Sequence, residues 1–240
     1  MGIEVSDKKV VTINDAHQNG VDTSVDANPT GKRFKGMPVL FAFSRNSKGG
    51  RRDDGNPLIH ALKRRKGFSI LPFWENLLLA RCKEILVKSK GELQGYDYCV
   101  PVPSSSTFCH RFCELVSAAS GAPILDSSFI RKKSVGEVLV EGRAALAGVR
   151  PGLRRLLTSQ LHGWEGTDSK ALYQAKEVEV SLRYLFGPFA LGDGGVDLTG
   201  KRVLIVDDLF ASGSSLLSMR QILHDQLGAD VAGVCFLSGA

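Results

Sequence analysis

Residues 202–223, RVLIVDDLFASGSSLLSMRQIL, constrain the architecture more than any other segment of this chain. Four apolar residues, Val203 to Val206, run into two adjacent carboxylates, Asp207 and Asp208. A stretch of small residues follows before the apolar spacing becomes helical. A strand that is apolar on both faces belongs inside a parallel sheet covered by helices on both sides. Such sheets bind ligands outside the carboxyl ends of their strands, which is where the acidic pair falls. Side chains alternate along a strand, so the two carboxylates meet different environments. At least one is expected to face the crevice, to accept hydrogen bonds from sugar hydroxyls or to assist a Mg²⁺ site.

The loop Ala211-Ser212-Gly213-Ser214-Ser215 adds a different chemistry. Gly213 permits close backbone approach, and N–H groups entering a helix can cradle a phosphate with help from the helix dipole. Ser212, Ser214 and Ser215 add hydroxyl donors. Acids suited to hydroxyls followed at once by a phosphate cradle suit a sugar phosphate. The chain has no GxxxxGK[ST] loop, and this segment lacks the glycines of a dinucleotide fingerprint. A plain helix cap needs one such residue, not an acidic pair followed by five small ones.

Periodicity and Gly/Pro punctuation place the other elements. KKVVTIND reads as a short strand and MPVLFAFSRN as a second, ended by the loop SRNSKGGRRDDGNP. Pro57 opens a helix from Leu58 to about Lys66, and a longer helix spans about 72–90. YDYCVPVP (96–103) is a strand by its β-branched and aromatic content, with a helix following over roughly 107–120. GAPILDSSFIRKK supplies a short strand or two and VGEVLVEGRAALAGV a helix. Residues 150–180 are polar and weakly periodic, expected as loop with some helix. LRYLFGPFAL is extended, Val203–Asp207 the central strand, Gly213 to Leu227 a helix and Val231–Leu237 a last strand. This alternation over 96–240 gives an α/β fold with a mainly parallel sheet flanked by helices. The expected division is a polar arm with short strands over 1–55 and the α/β domain over 56–240.

The net charge of +6 is uneven. Residues 1–95 hold 17 Lys and Arg against 10 Asp and Glu, while 96–240 hold 14 against 15. The basic excess is therefore N-terminal, in GKRFKG, SKGGRR and KRRKG, and suits a phosphate-rich partner such as nucleic acid or a solvated face. Five scattered cysteines fit a reducing compartment better than a disulfide framework, and Cys109 and Cys113 read as buried thiols. No apolar run reaches membrane-spanning length and no secretory leader is evident, so a cytoplasmic chain is expected. The MGIEVS start matches a myristoylation pattern by chance. The five histidines form no triad.

VLIVDDLFASGSS resembles the phosphoribosyl pyrophosphate (PRPP) motif of type I phosphoribosyltransferases. Across about residues 56–240 the chain is most similar to their ComF-like, competence-associated branch. That likeness is carried by NPLIHALKRRKG, by YDYCVPVPSSS and by FIRKKSVGEVLVEGRAAL. It lacks that branch's four-cysteine module, and TFCHRFCEL replaces the usual Arg-Gly-Phe-Asn-Gln segment. The resemblance implies a phosphoribosyltransferase type I fold with a smaller N-terminal hood-like region. It places Asp207 and Asp208 at the ribose hydroxyls, as catalytic residues and as Mg²⁺ ligands, and residues 211–215 around the 5′-phosphate. Ser104, Ser105 and Ser106 would hold pyrophosphate. A mobile catalytic loop would bring Arg131 and Lys132, with Lys133 and Arg143 as further candidates, and Arg111 as a compensating charge. The implied activity is transfer of ribose 5-phosphate from PRPP to a nitrogenous base or other amine. The alternative is a catalytically silent PRPP-binding module tied to DNA uptake or processing. Expected partners are PRPP, an acceptor, nucleic acid at Lys63, Arg64, Arg65 and Lys66 (a turn that could instead lean over the same crevice), and a second copy in a homodimer.

Overall fold

The computed structural model describes residues 1–46, 56–104 and 106–238. The SKGGRR cluster and Ser105 therefore lie outside the described residues. The N-terminal part gives β1 (Gly2–Val5), β2 (Val10–Asn14), β3 (Gly20–Asp22), β4 (Thr30–Phe34) and β5 (Met37–Asn46). After α1 (Pro57–Leu62) and β6 (Ser69–Ile70) come α2 (Pro72–Lys88), α3 (Lys90–Leu93), β7 (Tyr98–Pro101) and α4 (Thr107–Ser120). The chain continues through β8 (Ile130–Lys132), α5 (Val135–Ala145), α6 (Pro151–Glu165) and β9 (Phe189–Leu191). It closes with β10 (Arg202–Leu209), α7 (Ser214–Arg220), a π turn over Gln221–Gln226 and β11 (Asp230–Leu237).

β5, β11, β10 and β7 pair in parallel in that order, so the expected central strand does sit inside a parallel sheet. β3 and β4 run antiparallel along the free edge of β5. The sheet thus takes strands from both sides of residue 55, while β1, β2 and β6 form a separate small sheet. Alternation explains why β10 is apolar throughout. Leu204 and Val206 join Leu40, Ala42 and Val234 beneath α1, α2 and α4, whereas Val203 and Ile205 join Val39 and Phe41 beneath Leu216 and Met219 of α7. Each such buried aliphatic side chain stabilises by roughly 1.5–3 kcal/mol.

Residues 150–180 differ from expectation. Pro151 opens the fifteen-residue α6, and its Leu157, Leu161 and Trp164 form a third core with Val138, Tyr173 and Phe186. Leu153, Leu157, Leu161 and Trp164 do recur at helical spacing, a pattern that the reading of these residues as weakly periodic overlooks, and they meet α5 closely. A Cβ on Gly142 would collide with Leu161 and Phe186. Within the span between Ser106 and Asp207, where the resemblance implies a mobile catalytic loop, α5 and α6 form a packed helical unit. Among the described residues no helix is long and apolar enough to cross a membrane.

Candidate active site at the carboxyl ends of the parallel strands

Asp207 and Asp208 end β10 as expected, but both are covered, at 8% and 3% exposure. The expectation that one would open onto the crevice is corrected. α1 and α4 close over the strand end, so the pair lies behind side chains. The Lys63 ammonium sits 2.6 Å from Asp208 Oδ2, with that side chain only 14% exposed. The contact is an ion pair rather than a directed hydrogen bond, since Asp208 Oδ2 has no hydrogen-bond partner. Asp207 Oδ1 accepts the Asp208 N–H at 2.8 Å. Burial, and next the neighbouring Asp208, push the Asp207 carboxyl up to about 7, while Lys63 opposes the rise.

Cys109 completes the surroundings. Its sulfur and one oxygen from each acid lie within 4.8 Å of one another. The thiol donates to Val206 O at 3.5 Å, and burial followed by the two acids holds it protonated. Three converging donors resemble a metal set, but Mg²⁺ prefers six oxygens and a thiol is a soft ligand. An ammonium already against Asp208 repels a dication. The donor set does not fit a Mg²⁺ gripped directly by both acids.

The small-residue loop is at the surface, with Ala211 and Ser212 exposed and Gly213 buried. Gly213 precedes α7 at φ 77°, and a Cβ there would stand 2.5 Å from Phe34 and 2.8 Å from Phe210. Only glycine meets both demands. Ser212 Oγ donates to Ser214 Oγ at 3.0 Å, and Ser215 is half-buried at the start of α7. β4 supplies the cover: Phe34 meets Phe210 edge-on, and the Lys32 ammonium lies 3.7 Å from the Phe210 ring centroid. The sequence puts Lys32 in a basic cluster but not at this loop, and offers no signal for Phe34 because their strand looks like a polar arm. The basic turn from Lys63 to Lys66 is open to leaning over the crevice, but nothing singles out Lys63, and Cys109 is not signalled at all.

A cavity of about 410 Å³ beside the pair brings together Ser104, Ser106, Cys109 and Lys132, with Asp126 on its wall. Ser104 Oγ accepts the Ser106 N–H and Ser106 caps α4 by accepting from Phe108 N–H. Of the residues expected at pyrophosphate, Ser104, Ser106 and Lys132 share this lining and Arg131 does not. The rest of the cationic set is engaged elsewhere. Arg131 forms a two-point pair with Glu137 at 2.6 and 2.8 Å, Lys133 pairs with Glu141, and Arg143 with Glu165. Arg111 is bound to Glu75. Strand alternation explains the first difference, since Arg131 and Lys132 project to opposite faces of β8. Of the basic turn expected at nucleic acid, Lys63 faces inward, whereas Arg64, Arg65 and Lys66 are exposed.

No family model and no curated protein matches the sequence. Among solved structures the chain is similar to the adenine phosphoribosyltransferase (APRT) of Leishmania tarentolae. The match has 11% identity and a TM-score of 0.39, over 99% of this chain and 94% of that one.

Proposed function

We propose that the chain has a phosphoribosyltransferase type I fold, binds PRPP at the carboxyl ends of β7 and β10, and transfers its ribose 5-phosphate to a nitrogenous base or other amine. The observation that carries this reading is local. A buried acidic pair, a small-residue loop with left-handed Gly213, and a cavity holding Ser104, Ser106 and Lys132 converge on one sheet end. In this reading residues 211–215 offer N–H and hydroxyl donors to the 5′-phosphate. Asp207 and Asp208 accept from the ribose hydroxyls once the cover opens. Ser104, Ser106 and Lys132 hold the pyrophosphate as the bond from C1′ to its oxygen breaks and a nitrogen lone pair forms the new bond. Closure over the acids keeps out the water that would otherwise hydrolyse the sugar. Lys63 against Asp208 leaves the acids unsuited to grip Mg²⁺ directly; a Mg²⁺ bound with pyrophosphate would add neutralisation of its charge beside Ser104, Ser106 and Lys132.

The test is pyrophosphate release from PRPP across a panel of bases and amines. Release that depends on one acceptor and disappears in Asp207→Asn/Asp208→Asn supports transfer. Release with no acceptor, or none with a folded chain that binds PRPP, contradicts it. A second reading, a silent PRPP-binding module that contacts nucleic acid, is favoured by one observation. Phe73, 68% exposed, stands beside Trp74 on the helix whose Glu75 meets Arg64 of the exposed basic turn, which puts an exposed aromatic ring and exposed cations on neighbouring elements for stacked bases and phosphates. Salt-dependent binding of a single-stranded oligonucleotide that weakens in Phe73→Ala and Arg64→Ala is its expected signature.

A further inference from the structure

Three of the four residues in the basic turn behave as surface charges, and one does not. The chain leaves α1 through Lys63 and then takes left-handed conformations at Arg64 (φ 51°), Lys66 (φ 54°) and Gly67 (φ 75°). Two of these are not glycine, so the turn is held in a conformation that L-residues avoid. Lys63, the C-cap of α1 at φ −89°, precedes these left-handed residues. The ammonium lands on Asp208, whose carboxylate is 3% exposed and whose Oδ2 has no directed hydrogen bond. Asp207 and Cys109 offer their own donor atoms within 4.8 Å. A buried ion pair is a poor stabilising device compared with well-packed apolar side chains. Its position at the ligand end of the strand therefore points to a role in the site.

We propose that Lys63 is the resident counter-cation of the Asp207–Asp208 pair and occupies the place a divalent ion would otherwise take. The acids keep their hydroxyl-accepting oxygens while the positive charge comes from the chain itself, so ribose contact at this end of the site needs no metal. Lys63 is a positioning residue: it sets the charge and aim of Asp208 rather than touching the bond that breaks. Removing the ammonium leaves Asp208 without its counter-charge beside oxygens of Asp207 and the sulfur of Cys109, so a dication is expected to take its place and displace the Asp207 proton. The role at ribose rests on the PRPP reading, whereas the ion pair and its test do not.

The test uses the full chain and Mn²⁺ alone, followed by loss of the free-ion electron paramagnetic resonance signal. The natural chain is expected to show no site that Asp207→Asn/Asp208→Asn removes. Lys63→Ala is expected to bind one equivalent at least tenfold more tightly, and to lose it when the two Asn substitutions are added. Lys63→Gln, which retains bulk and a hydrogen-bonding end, is expected to behave likewise and serves if the alanine variant does not fold. An equivalent bound by the natural chain and lost in the Asn double variant overturns the proposal. So does a folded Lys63 variant that binds none. Failure of PRPP to bind in a separate calorimetric titration removes the functional reading and leaves this result standing.

Discussion

Two patches of the same sheet end treat charge in opposite ways. At the tip of β10, Asp208 is covered, paired to Lys63 and closed to solvent. On the other side of Cys109, Ser104, Ser106 and Lys132 line an open cavity. Arg131 and Lys133, next to Lys132 in sequence, both have carboxylate partners. The contrast teaches where a ligand's charge is to be met. The closed patch has its own counter-charge and suits neutral hydroxyls, whereas the open one retains a cation for an anion.

The sharpest way to break this contrast is at Lys63. Lys63→Ala strands a buried carboxylate and is expected to cost about 3–5 kcal/mol by urea denaturation, with most of it recovered in Lys63→Ala/Asp208→Asn. Lys132→Ala, on the open patch, is expected to change stability by less than about 0.5 kcal/mol. An equal cost at both would erase the distinction.

Next in size is Gly213→Ala. The new Cβ meets Phe34 and must hold φ 77°, for a cost of about 1–3 kcal/mol and loss of the phosphate contact. Adding Phe34→Ala should relieve the collision but not the backbone strain, so thermal denaturation of the pair separates the two.

The acidic pair also predicts a pH slope. Asp207 holds its proton up to about 7 when folded, against an ordinary value of 3.8. The folded chain therefore binds more protons between these values, and stability falls as pH rises from about 4 to about 7 and then levels. Asp207→Asn should flatten that slope and stabilise the folded chain at pH 8 by on the order of 1–2 kcal/mol. A stability that rises over the same window would show that Lys63, not burial, governs this carboxyl. A small effect is also expected at Arg131→Ala, whose exposed pair with Glu137 is worth about 1 kcal/mol or less and whose loss should leave PRPP affinity unchanged.

Much of the frame was legible in the sequence, for identifiable reasons. β10 advertises itself because burial on both faces leaves an unbroken apolar run, and α4 falls where its apolar spacing and Ser106 cap place it. Lys132 was proposed only through the family resemblance, and in the fold it shares a cavity with Ser104 and Ser106. What the sequence hid is long-range. Nothing in KRRKG distinguishes the inward Lys63 from its outward neighbours, since the left-handed turn that sorts them is not a property of residue type. Phe34 and Lys32 reach the loop only because β4 lies along β5 on the sheet's edge. Cys109 reads as an ordinary core thiol until the acids are placed beside it.

The most direct measurement is calorimetric titration of PRPP with Mg²⁺ into the natural chain and into Asp207→Asn/Asp208→Asn, with folding of both checked by circular dichroism. One equivalent bound by the natural chain and lost in the variant is the expected result. A folded natural chain that binds no PRPP, or a variant that binds it equally well, contradicts the assignment of this sheet end as a sugar-phosphate site.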